Sequence, residues 1–122
     1  MLTTRQRWNS KRERLKYHLK SKNINGLPRL IVFRSNKNIF LQLVNDVKNV
    51  TILAASSIDK KLQKEISKAN SKIEKSSIVG KAFADMLKVK KIEQVIFDRN
   101  CYKYHGRVKA VVEAIRKEEI KI

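Results

Sequence analysis

"RLIVFRSNKNIFLQLVND", residues 29–46, is two apolar runs around a polar joint. "RLIVFRS" (29–35) is β-branched and apolar and predicts a buried strand. "IFLQLVND" (39–46) predicts a second. "SNKN" (35–38) is turn chemistry, so the pair predicts a hairpin. Further along, "VKN" (47–49) makes another turn and "TILAASS" (51–57) a third strand. No Pro or Gly interrupts any of the three. Residues 59–90 are helical in one or two pieces, because Val79, Ala82, Phe83 and Met86 fall at i, i+3, i+4 and i+7 on one buried face. "KIEQVIFD" (91–98) predicts a fourth strand. Val108, Val111, Val112 and Ile115 repeat the helical spacing, which predicts a helix over about 106–119. The order is β-β-β-α-β-α. A helix between strands three and four implies a crossover to a parallel strand, hence a single α/β domain whose mixed sheet is packed by helices.

In the other direction, the domain begins at Pro28 and runs over 28–122. Residues 1–27 read as a basic arm. Within 1–22 stand eight cations (Arg5, Arg7, Lys11, Arg12, Arg14, Lys16, Lys20, Lys22) and one acid, Glu13. Propensity allows a helix over roughly residues 4–20, with Trp8, Leu15 and Leu19 near one face. So thin an apolar stripe predicts weak helicity alone, firmed by a partner. "NINGLP" (23–28) ends it with Gly and Pro.

The 122 residues suit one domain, and 42% hydrophobic content supports a globular one. Lys and Arg total 29 against 11 acids, a formal charge of +18. Self-repulsion on that scale points to a polyanionic partner, nucleic acid or anionic membrane. The single cysteine, Cys101, cannot form an internal disulfide and suits a reducing compartment. No apolar run approaches the ~20 residues that span a bilayer. The first residues lack the apolar centre of a secretory signal. Their Arg-rich, acid-poor character leaves a mitochondrial transit peptide as the lesser reading beside a cytoplasmic protein.

"DRNCYKYHGRVKA" (98–110) lies between the last strand and the last helix. Arg99, Lys103, Arg107 and Lys109 can each meet a phosphate, the arginines bidentately. Tyr102, Tyr104 and His105 offer flat surfaces to unstacked bases. Gly106 opens a helix whose free N–H groups attract anions. The plain alternative is a solvated loop whose tyrosines pack on the sheet. The hairpin tip, Arg34, Ser35, Asn36, Lys37 and Asn38, reads equally as a turn or an RNA contact. Gly80 reads as permitting close helix–sheet packing, and Lys60, Lys61, Lys64, Lys68, Lys72, Lys75, Lys88, Lys90 and Lys91 as a solvated face.

Catalytic readings are weaker. A two-metal nuclease needs several converging carboxylates. Asp46 and Asp59 read as turn residues and Asp85 as helical, so convergence with Asp98 is not expected, and Asp98 reads as a cap or ion-pair partner. Two histidines and one cysteine lack the short ligand spacings of a zinc site. Cys101 near His105 has no evident orienting carboxylate except Asp98. Only three glycines are present and none forms a phosphate loop. No cofactor, metal or catalytic residue is expected.

Three motifs carry a family resemblance: "PRLIVFRSNKNIFLQL" (28–43), "VGKAFA" (79–84) and "VIFDRNCYKYHGRVKAVVEAIR" (95–116). With them the chain resembles the bacterial large-subunit ribosomal protein L18 family, over nearly its whole length. The resemblance implies a three-layer α/β domain with a basic N-terminal extension. It implies binding of 5S rRNA, attachment to 23S rRNA in the central protuberance, and contacts with neighbouring ribosomal proteins, without homo-oligomer or membrane. The RNA-binding candidates are Arg5, Arg7, Trp8, Lys11, Arg12, Arg14, Lys16 and Tyr17 on the arm, residues 34–38 at the hairpin tip, and Arg99, Tyr102, Lys103, Tyr104, His105, Arg107 and Lys109 in the loop. The family pattern has glycine where Cys101 stands, so Asn100, which tolerates left-handed geometry, is expected to carry the turn. An RNase H-like metal-dependent nuclease is the alternative on fold order. A membrane-surface protein leaves the loop's rings without a role.

Overall fold

The expected hairpin forms from β1 (Arg29–Arg34) and β2 (Ile39–Asn45), which pair antiparallel from Arg29↔Val44 to Arg34↔Ile39. The structure, a computed structural model, describes residues 3–22, 26–100 and 102–122. Cys101, residues 23–25 of the expected turn, and the side chains of Lys20 and Lys22 lie outside the described residues. The remaining elements are α1 (Thr4–Lys22), β3 (Val50–Ser56), α2 (Gln63–Ser67) after a short 3-10 turn, α3 (Lys72–Val89), β4 (Ile96–Asp98) and α4 (Arg107–Lys117). The sheet order is β3-β2-β1-β4, with β4 parallel to β1. The mixed sheet follows from α3 crossing over between β3 and β4. A bulge between Leu43 and Val44 lets Ile52 slip out of register on β3.

Alternation sorts the strands into two faces. Leu30, Val32, Ile39, Leu41 and Leu43 are buried on one. Against them lie Val79, Phe83 and Leu87 of α3 and Val108, Val111 and Ile115 of α4. Full burial of each such side chain contributes about 1.5–3 kcal/mol. Arg29, Ile31 and Phe33 point to the opposite face, where Phe33 stays 37% exposed. The domain is therefore a sheet with helices on one face, not the three full layers that the resemblance implies. Among the described residues only α1 approaches the other face, at the β1–β4 end, across a groove of about 190 Å³.

The 59–90 segment forms in pieces, as its reading allowed, with a break at residues 68–71, where Ser71 caps α3 by accepting the Glu74 N–H at 3.2 Å. Several other local expectations change. The fourth strand is three residues long, not eight. Lys91 takes φ 59 to end α3, and Val95 donates its N–H to the Lys121 carbonyl, so the chain joins β1 only at Ile96. Gly80 serves helix–helix rather than helix–sheet packing. A Cβ there would lie 2.8 Å from the Val111 carbonyl oxygen and 3.1 Å from the Ala114 Cβ, both on α4. α1 starts on a reciprocal cap that the sequence reading missed. Thr3 Oγ1 accepts the Gln6 N–H at 3.1 Å, while the Thr3 N–H reaches Gln6 Oε1 at 2.8 Å. The signal, Thr-x-x-Gln at the helix start, is in the sequence.

Candidate nucleic-acid interface

The polar hairpin tip, the turn after β4 and the first half of α1 meet at one end of the sheet, and Tyr102 is their common member. Its hydroxyl accepts from Arg12 Nη2 at 3.2 Å and from the Arg34 N–H at 3.4 Å. The guanidinium carbons of Arg34 and Arg12 lie 4.7 and 5.6 Å from its ring centroid, within cation–π reach. Trp8 packs on it at 6.0 Å and 51°, and Arg12 also lies 5.1 Å from the Trp8 centroid. The half-buried face of α1 is Trp8, Arg12, Leu15 and Leu19, so Arg12 joins the expected apolar stripe because its charge is spread over two rings. Through these contacts α1 packs against the turn after β4.

Two more arginines close the cluster. Arg99 Nη1 donates to the Tyr102 carbonyl at 3.0 Å, and Arg107 Nη1 to the Ser35 carbonyl at 2.7 Å, tying the start of α4 to the hairpin tip. Burial, and then the neighbouring charge of Arg34, push the Arg107 guanidinium below its ordinary pKa. That like-charge crowding is relieved by an anion. Among the described residues, none of Arg12, Arg34, Arg99 and Arg107 forms an ion pair with a carboxylate.

Other expected residues divide by role. Arg5, Arg7, Lys11, Arg14, Lys16 and Tyr17 are exposed along α1, Tyr17 by 76%. At 19 residues the helix is about 28 Å long, enough to pass several phosphates. At the tip, Ser35 and Asn38 are engaged in the turn: the Ser35 N–H donates to the Asn38 carbonyl at 2.8 Å, and Ser57 Oγ donates to Asn38 Oδ1 at 2.9 Å. Asn36 and Lys37 are exposed. Lys103, Tyr104 and His105 project from the loop, Tyr104 with its edge against Phe97 at 6.5 Å. Gly106 caps α4 at φ 58, a conformation that glycine adopts without strain. Lys109, on the first turn of α4, lies 3.9 Å from Glu113. Asn100 takes the expected left-handed turn, at φ 55.

The carboxylate expectation needs correction. Asp46 and Asp98 do converge, on a residue that the sequence reading passed over. Arg29, 3% exposed, donates from Nε and Nη2 to Asp46 at 3.1 Å each, and from Nη1 to Asp98 at 2.6 Å. Strand pairing forces the meeting, since Arg29 opposes Val44 on β2 and Ile96 on β4. The guanidinium occupies the space that a metal would need. Among the described residues no group of three or more His, Cys, Asp or Glu side chains is placed to hold an ion. Asp98 Oδ1 also accepts the Asn100 N–H at 2.8 Å, so the ion pair anchors the loop. No described helix is long and apolar enough to cross a membrane.

Residues 3–122 match the family model described as ribosomal L18 of archaea, bacteria, mitochondria and chloroplast. The chain is 52% identical over 89 residues to large ribosomal subunit protein uL18 of Lactobacillus delbrueckii subsp. bulgaricus, covering 73% of this chain and 71% of that protein. Identity to the protein of the same name in Methylobacterium radiotolerans is 50% over 92 residues, 75% and 76% of the two chains. For Gluconacetobacter diazotrophicus it is 43% over 106 residues, 87% of each.

Proposed function

Because the chain belongs to the ribosomal protein L18 family, we propose that it binds 5S rRNA and helps attach it to 23S rRNA in the central protuberance. At the coarser level it is a structural, non-enzymatic constituent of the large ribosomal subunit, with rRNA and ribosomal proteins as partners, on a cytoplasmic particle. The observation that carries the RNA-binding reading is the cluster of Arg12, Arg34, Arg99 and Arg107 around Tyr102, which has no carboxylate counter-ion among the described residues. Guanidinium forks in that state suit phosphate oxygens.

The division of labour follows from exposure. The arm (1–27) supplies field and backbone contacts through the exposed cations of α1. The domain (28–122) supplies register, through Asn36 and Lys37 at the tip and Lys103, Tyr104 and His105 in the loop. Tyr102 preorganises the arm, since its ring already faces Trp8 and two arginines. Filter binding to 5S rRNA and to an unrelated RNA of equal length, across a salt series, tests the reading. With six to eight phosphate contacts the slope of log K against log salt is about −4 to −7, and 5S rRNA is preferred. A slope near zero, or equal affinity for both RNAs, refutes it.

A further inference from the structure

The groove between α1 and the open face of the sheet holds features that phosphate binding leaves unexplained. It is lined by Arg12, Glu13 and Lys16 from α1, by Ile31 and Phe33 from β1, and by the Arg29–Asp98 pair and Asn100. Arg29 and Asp98 satisfy each other. Two buried donors find no acceptor among the described residues: Arg12 Nε and Asn100 Nδ2. Native structures leave buried polar atoms unpaired rarely, and each instance asks for a reason. Here the two share one small groove with an apolar wall.

We propose that this groove receives one unpaired guanine of the bound RNA. The proposal rests on the RNA-binding reading above and adds a specificity site to it. At about 190 Å³ the space is below the roughly 300–1,000 Å³ of small-molecule sites. Phe33 and Ile31 offer an apolar surface for a base plane, which a phosphate would not use. Guanine presents two adjacent acceptors, O6 and N7, where adenine pairs N7 with an amino donor; Arg12 Nε and Asn100 Nδ2 supply the matching donors. Glu13, the arm's one acid, stands on the rim to accept from the guanine N1–H and amino group. Lys16 faces the same rim and takes the flanking phosphate.

Dimethyl sulfate, which modifies guanine N7, tests the idea on 5S rRNA bound to the full chain. One unpaired guanine is protected by the wild-type protein and becomes reactive again with Asn100→Gly, a change that keeps the φ 55 turn and deletes the amide. Asn100→Gly lowers affinity for 5S rRNA by roughly tenfold and leaves an unrelated RNA of equal length unchanged. A 5S transcript carrying 7-deazaguanosine shows the same loss with wild-type protein, independently of how the variant folds, and Asn100→Gly adds nothing further to it. Preference for 5S rRNA without a protected guanine, or without the 7-deazaguanosine loss, overturns the groove assignment alone. Equal binding of both RNAs by the wild-type chain overturns the parent reading and this one together.

Discussion

Asp98→Ala isolates the ion-pair network beneath the loop. Arg29 is 3% exposed and reaches Asp98 at 2.6 Å and Asp46 at 3.1 Å. Removing one partner of a buried pair costs about 3–5 kcal/mol, because the other charge is left in a poor solvent. Asp46 remains to compensate Arg29, which places the loss at the low end, about 3 kcal/mol. The Asn100 N–H also loses its acceptor, so the loop loosens with the strand ends. With a urea dependence of about 2 kcal/mol/M, the unfolding midpoint falls by about 1.5 M. Arg29→Leu/Asp46→Asn/Asp98→Leu removes all three charges of the network together and recovers most of that loss, since buried ion pairs exchanged for uncharged groups are often neutral. Urea melts followed by circular dichroism on the two variants decide the matter. A midpoint shift under about 0.5 M for Asp98→Ala, or a triple variant less stable than the single one, refutes the account.

Other expectations follow from particular contacts. Gly80→Ala destabilises the domain although alanine is favoured in helices by about 1 kcal/mol, because its Cβ meets the Val111 backbone at 2.8 Å; a higher melting temperature contradicts that approach. Tyr102→Ala removes the ring that holds Trp8, Arg12 and Arg34, so amide exchange accelerates in α1 and not in β1 and β2, whereas Tyr102→Phe has a smaller effect. Lys88 Nζ lies 2.7 Å from Glu118 Oε2 and holds that carboxyl below its ordinary pKa, first through the hydrogen bond and then through charge. The pair's small stabilisation is present above the ordinary carboxylate pKa and lost as pH falls through the lower folded value. Carbon NMR should show the Glu118 titration moving upward in Lys88→Met; no movement means that the pair does not persist in solution.

What the sequence by itself determined is what local pattern encodes. Two apolar, β-branched runs around the polar turn 35–38 define the hairpin, because such runs fit buried strands and the turn residues fit the reversal between them. Spacing of three and four over 79–86 and 108–115 defines the two long helices, and the helix before the fourth strand implies its parallel placement. The +18 charge and the ring-and-cation loop point to a polyanion before any coordinates. The tertiary structure alone decided which of those residues are free to meet it. Tyr102 and Arg12 are 90 residues apart and Arg29 and Asp98 69 apart, and no periodicity links such partners. Arg29 carries no signal of its own in the sequence, and strand pairing alone sets it between two aspartates. Gly80 reads as a sheet contact until α4 crosses it. The fourth strand shrank because the 93–95 segment found its hydrogen bonds with the C-terminal residues instead. In each case the deciding quantity is a desolvation or close-packing energy between distant segments, which exists only once the chain has closed on itself.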